Sequence, residues 1–396
     1  MDIRISSVWS LTSEAMEAAG YERSSIAQCG KYFRYLERSC EGGIYDGAAA
    51  VKWIRASKPD GTPYCANVVG ARKRVVSIVE RYCATGSIDL SMRSWSPPQP
   101  MPESTALLDA LAEYDCDNHA RGLAKGTCDH YWRLAREFSL YLERNGVRSL
   151  DAAGPDSILG FVPDILSRWS GTDGQHPATN LRPFLKHLGR QDLVDALKLA
   201  ALPKRRGIVP MLDDADEDAV ALACCNRLVP ARDAAITLLA LTTGIRACDI
   251  VNLKLEDIDW RAATATIIQQ KTGNPLTVPL APALLEALAE YVLEHRPDSE
   301  SPNVFARTKA PHMPYRDHAA IYAATARTLH AAGAEGGGTL LTRHNAASKM
   351  LRAGAALPVI SAVLGHSGPD STNVYMEADD RNMAACVLPL PKAVVA

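Results

Sequence analysis

Apolar residues recur at three- and four-residue spacing along most of this chain, a period that predicts helices. Arg232–Leu241 is predominantly apolar, and Gly244 follows where a left-handed C-cap belongs. Downstream, Ala346, Ala347, Met350 and Leu351 put a helix over Arg343–Leu351, and Leu357–Leu364 forms a second, ended by Gly365. Lys31–Arg38 and Glu137–Arg144 are helical and alike, each closing on Tyr-Leu-Glu-Arg with aromatic residues at short spacing. That stripe is expected to be core, and the likeness suggests a repeated helical unit. Only one region breaks the helical period. Thr264–Gln269 and Leu276–Leu280 read as short strands joined by Lys271-Thr272-Gly273-Asn274-Pro275, a turn rich in breakers, so the chain is expected to be mainly α with a small β-hairpin in its C-terminal domain.

Prolines divide the pattern. The run Ser94–Pro102 excludes helix and sheet interior, and Pro203–Pro210 interrupts helices on either side. The expected organisation is a helical domain over 1–92, a linker over 93–103, a second helical domain over 104–202, a linker over 203–210, a third domain over 211–385, and a tail over 386–396.

Composition narrows the class. A chain of 396 residues with 47% hydrophobic content suits two or three folded domains. No apolar run reaches membrane-spanning length and the N-terminus opens no secretory segment, so a cytoplasmic protein is expected. The ten cysteines form no Cys-x-x-Cys pair, which argues for reduced, mostly buried thiols and against a metal cage. Net charge is −2: 27 basic against 24 acidic residues through Arg206, a balance of +3, and 16 against 21 beyond it, a balance of −5. Any nucleic-acid surface must therefore be local. The candidates are Arg72-Lys73-Arg74 and Lys204-Arg205-Arg206, although runs this short are more often solvated surface.

Five local sequences change the picture. They are Thr243-Gly244-Ile245-Arg246-Ala247-Cys248-Asp249, Lys271-Thr272-Gly273, Thr342-Arg343-His344, Leu364-Gly365-His366-Ser367 and Thr372-Asn373-Val374-Tyr375. In kind and order they resemble the signature of the tyrosine recombinase (phage integrase) family. The resemblance implies a helical clamp domain over 104–202, a further N-terminal domain for DNA or subunit contact, and an α+β catalytic domain. It implies Tyr375 as nucleophile, Arg246 and Arg343 as a clamp on the phosphoryl oxygens, Lys271 as general acid and His366 as a further donor to the phosphate. Asp249 and His344 would support these groups.

The chemistry explains the residue types. Attack on a phosphodiester builds charge on the non-bridging oxygens, which forked guanidinium donors match in sign and geometry. A phenol with a pKa of about 10 needs nearby cations to become a nucleophile, and the departing 5′-oxygen needs a proton. No cofactor or metal is required. Double-stranded DNA sites, a homotetramer on two such sites, and a directionality or accessory factor are the partners implied. One departure stands out: the family's usual histidine three residues before the second arginine is Leu340, which can neither take nor give a proton. The leading expectation is site-specific recombination of a mobile element through a 3′-phosphotyrosine. The rival is a weakened accessory DNA-binding protein that keeps the fold, with a topoisomerase as a more distant third.

Overall fold

The computed structural model describes residues 3–91, 95–169, 175–200, 211–334 and 339–365, the side chains of 175, 339 and 340 excepted. Met1–Ser96 and Ile208–Ala396 group into one compact unit, and Pro97–Gly207 forms a second. Within the first unit the N-terminal stretch and the C-terminal segment keep separate apolar clusters. Sixteen α-helices, two short 3-10 helices, a π turn and one three-stranded sheet make up the regular structure of the described residues, as the mainly helical period predicts. None of these helices is long and apolar enough to cross a membrane.

The N-terminal stretch holds α1 (Ile5–Ala18), α2 (Arg23–Ser39), α3 (Gly47–Arg55) and α4 (Ala66–Thr85), packed around Ile5, Val8, Phe33, Leu36, Val76 and Val79. Asp46 caps α3 by accepting from the amides of Ala48 and Ala49. Trp95, placed by sequence in the first linker, belongs to this core. Its ring is buried and its Nε1 donates to Glu80 at 3.1 Å. Indole burial outweighs the extended, proline-rich context.

The second unit contains α5 (Thr105–Ala120), α6 (Lys125–Arg144), α7 (Pro155–Arg168), α8 (Gln175–His187) and α9 (Gln191–Leu199). Leu107, Leu111 and Tyr114 line one face of α5 and meet Phe138 of α6 and Phe184 of α8 in one core. Glu143, near the end of α6, accepts from the amides of Glu103 and Ser104 and so satisfies donors at the start of α5. The two Tyr-Leu-Glu-Arg sequences close α2 and α6, and Leu36 and Leu142 are buried in both. The aromatic stripe is less uniformly core than expected. Tyr35 is 39% exposed and lies edge-on to Tyr32 with Lys31 over its ring, an arrangement that helical three-residue spacing also permits at the surface.

The C-terminal segment comprises α10 (Asp214–Cys225), α11 (Ala231–Thr243), α12 (Ala247–Asn252), β1 (Ile258–Asp259), β2 (Thr264–Ile268), β3 (Pro275–Pro279), α13 (Pro282–Glu290) running into a π turn (Tyr291–His295), α14 (Ala319–Ala331), α15 (Thr339–Arg352) and α16 (Leu357–Leu364). Helix α11 is its axis: every residue from Asp233 to Leu241 is buried, the carboxylate of Asp233 held by Arg232 and Arg327, and α10, α13, α14 and α15 pack against it. The sheet is antiparallel in the order β1-β2-β3, with Ala265 opposite Val278 and Ile267 opposite Leu276. Ala265, Ile267 and Val278 enter the core, while Thr266 and Thr277 face out with hydroxyls 3.0 Å apart. The expectation of mostly buried cysteines is not met: of nine free cysteines among the described residues, Cys65, Cys83, Cys116 and Cys225 are exposed and only Cys40, Cys128 and Cys224 are buried.

Candidate functional site

Two left-handed glycines bring the predicted segments together. Gly244 (φ 63°) ends α11 and Gly365 (φ 62°) ends α16, both in the region that favours glycine. A β-carbon on Gly244 would stand 3.0 Å from both Ala346 of α15 and Leu364 of α16. The bare backbone thus lets three helices meet at one point. On Gly365 a β-carbon would overlap the Gln269 side chain at the end of β2.

Both predicted arginines converge on this junction. Arg246, half-buried at the N-cap of α12, donates from Nη1 to Gln269 Oε1 at 3.1 Å and from Nη2 to the Gly365 carbonyl at 2.9 Å. Arg343, on α15 and 7% exposed, donates from Nη1 to the Gly244 carbonyl at 2.8 Å and from Nη2 to the Leu364 carbonyl at 2.7 Å. Residues 97 positions apart in sequence therefore hold the same turn, one through its Gly365 carbonyl and the other through Leu364. The turn leads directly into His366. His366 and Tyr375 themselves lie outside the described residues.

Lys271 sits exposed at the tip between β2 and β3, where the hairpin reading put it. The tip is closed by Gly273 N donating to Gln269 O at 2.8 Å and Gln269 N donating to Asn274 O at 2.9 Å. The residues flanking Lys271 are both tied inward. Gln270 N donates to Asp249 Oδ1 at 2.9 Å, and Thr272 Oγ1 donates to Gln269 Oε1 at 2.7 Å.

Asp249 is 2% exposed on α12. Besides holding the hairpin, its Oδ1 accepts from Cys248 Sγ at 3.7 Å, and its Oδ2 is buried without a hydrogen-bond partner among the described residues. Burial first, and then the Asp249 charge, push the Cys248 thiol up, which keeps it protonated and inert. His344 is half-buried beside Arg343. Burial, and then the Arg343 charge, hold its imidazole below the ordinary histidine range, so it is neutral at pH 7. Leu340 lies in the first turn of α15, three residues before Arg343.

The basic runs fare differently. Arg72 is 6% exposed on α4, donates to the carbonyls of Trp53 and Ala56, and lies 4.0 Å from the centre of the Tyr64 ring. A guanidinium so enclosed serves the core, which corrects the DNA-contact expectation for Arg72: helical spacing turned this member of the run inward. Lys73 is half-buried, and Arg74 donates to the Tyr21 hydroxyl at 2.9 Å. Lys204, Arg205 and Arg206 lie outside the described residues.

Sequence reading missed Gln269, a polar side chain only 1% exposed at the junction. A signal was present. Residues 265, 267 and 269 share the inward phase of β2, and a glutamine in that phase must find partners.

Residues 211–382 match the model of the phage integrase family. The inferred integrase/recombinase y4rA of Sinorhizobium fredii is 30% identical over 280 residues, 69% of this chain and 68% of its own. The tyrosine recombinase XerD of Mycobacterium tuberculosis is 26% identical over 285 residues, 64% of this chain and 88% of its own. Among solved structures, the XerH site-specific recombinase bound to a palindromic difH substrate aligns with a TM-score of 0.58 at 15% identity, covering 90% of this chain and 93% of that one. The Tn1549 transposon integrase in complex with transposon right end DNA aligns at 0.55 and 15% identity, covering 70% and 99%. The solved structures establish the shared fold, and the family model and the sequence relatives show that this chain belongs to the phage integrase family, that of the tyrosine recombinases.

Proposed function

We propose that the protein carries out site-specific recombination of a mobile element, cutting and rejoining DNA through a 3′-phosphotyrosine. The observation that carries this reading is the convergence of Arg246 and Arg343 on the Gly244 and Leu364–Gly365 turns, with the Lys271 hairpin anchored to the same junction. In the reaction the Tyr375 oxygen bonds to phosphorus as the bond from phosphorus to the 5′-oxygen breaks. Lys271 delivers a proton to that departing oxygen, and the phenolic proton passes to water. Arg246, Arg343 and His366 donate to the phosphoryl oxygens as they gain charge. The tyrosyl ester retains the energy of the diester, so the attacking 5′-hydroxyl of a second strand reverses the step with neither ATP nor metal. Residues 104–202 and 1–92 supply the remaining DNA and subunit contacts, and four copies on two sites, aided by a directionality or accessory factor, complete the exchange in the cytoplasm.

The test is a covalent adduct on nicked DNA built from the ends of the native element. Wild-type protein is expected to leave a denaturation-resistant protein–DNA band, and Tyr375→Phe is expected to bind the same ends and leave none. Specific binding without any adduct from the wild type would favour an accessory protein, and relaxation of any supercoiled plasmid would favour a topoisomerase.

A further inference from the structure

Where the described parts of the motif segments meet, one buried group, Gln269, has no role. Gln269 Oε1 accepts from two donors, Arg246 Nη1 at 3.1 Å and Thr272 Oγ1 at 2.7 Å, while Nε2 faces the Leu364 carbonyl at 3.3 Å. This network fixes the amide's orientation, because only its oxygen can accept from the arginine and only its nitrogen can donate to a carbonyl. The main chain of Gln269 is committed as well, since its N–H and C=O close the tip that carries Lys271. Gly365 leaves the space that the side chain fills. One residue therefore touches the first arginine, the hairpin and the turn before His366. A glutamine at the end of an inward strand phase is a costly choice for packing alone, and its side chain saturates partners on three separate segments.

We infer that Gln269 is the positioning residue that sets the Arg246 guanidinium and the Lys271 hairpin at a fixed spacing across the scissile phosphate. The inference rests on the recombinase reading and on Lys271 as general acid. An in-line displacement needs the phosphoryl clamp and the acid on the leaving oxygen placed together, and a displacement of about 1 Å at such a site costs about 10²-fold in rate. Gln269 takes no part in the bonds that form and break. It acts on Arg246 by a direct hydrogen bond and on Lys271 through its neighbour Thr272.

The experiment measures single-turnover cleavage of nicked DNA at saturating protein, for wild type and Gln269→Met, on two substrates: an ordinary phosphodiester and one whose 5′-bridging oxygen is sulfur. A thiolate leaves without a proton, so the sulfur substrate removes the need for Lys271 and retains the need for Arg246. Methionine keeps the volume and removes every side-chain hydrogen bond. Gln269→Met is expected to cleave the ordinary substrate about 10²-fold more slowly with DNA affinity little changed. On the sulfur substrate the defect is expected to shrink about tenfold without vanishing. An unchanged rate overturns the inference, as does a defect equal on both substrates, which would leave Lys271 uncoupled, or one absent on sulfur, which would leave Arg246 uncoupled. Thr272→Val, a milder change at a half-buried tip residue, guards against misfolding. It is expected to slow the ordinary substrate alone, and equal slowing of both would count against the coupling. Absence of an adduct from wild type would instead refute the recombinase reading itself.

Discussion

At the scale of single residues, the two arginines share a role in the motif and differ in what the fold asks of them. Arg343 is enclosed and spans two carbonyls from different helix ends, so its loss strands buried acceptors as well as removing a phosphate donor. Arg343→Ala is expected to cost about 2–4 kcal/mol, read as a lower denaturation midpoint, whereas Arg246→Ala, half-buried, is expected to cost about 1–2 kcal/mol and to show chiefly in cleavage. Equal stability losses would contradict that division. His344 carries a pH consequence. Its folded-state pKa lies below its ordinary 6.5, so the unfolded chain binds the proton more readily and stability falls as pH drops below about 6.5. His344→Gln should flatten that part of the acid limb, measured as the difference between the two stability–pH curves. Motif position named these residues, but burial assigned their work, and it removed Arg72 from the DNA-facing candidates.

At the scale of elements, the site is made by terminations. α11 and α16 both end on left-handed glycines, and the carbonyls exposed there are the ones the arginines hold. Gly244→Ala is expected to destabilise by about 1–3 kcal/mol, because it adds both a strained φ and a methyl that presses on Ala346 and Leu364. An unchanged melting transition would show that the junction yields more easily than its packing implies. These helix ends were legible in sequence, since Gly244 and Gly365 follow apolar helical runs, and so was the hairpin with Lys271 at its tip. Trp95 was not legible, because a proline-rich neighbourhood signals a linker locally while the core that takes its ring and the Glu80 carboxylate that accepts its N–H come from distant elements.

At the scale of the whole molecule, the electrostatic balance sets conditions on DNA binding. A chain of net charge −2 has no general attraction for a polyanion, so affinity must come from local cations that displace counterions from phosphates. Binding to the element's ends is accordingly expected to weaken steeply with salt, log K falling with log salt by about 0.9 for each phosphate neutralised. A flat salt dependence in a binding titration would mean that base and shape contacts dominate. Removing Tyr375's hydroxyl should leave this slope unchanged, since the phenol is not a cation.

The residues alone determined the helical class, the placement of the small hairpin, the helix ends at Gly244 and Gly365, and the family, because periodicity, breakers and short motifs are local properties. Tertiary structure decided which side chains of those motifs are enclosed and what they hold. Arg246 and Arg343 share a turn, Asp249 grips the hairpin, and Gln269 joins three segments only because α11, α15, α16 and β2 meet at one point. Such convergence depends on long-range packing, in which partners 21 to 119 positions away in the chain supply the hydrogen bonds that a local pattern cannot name.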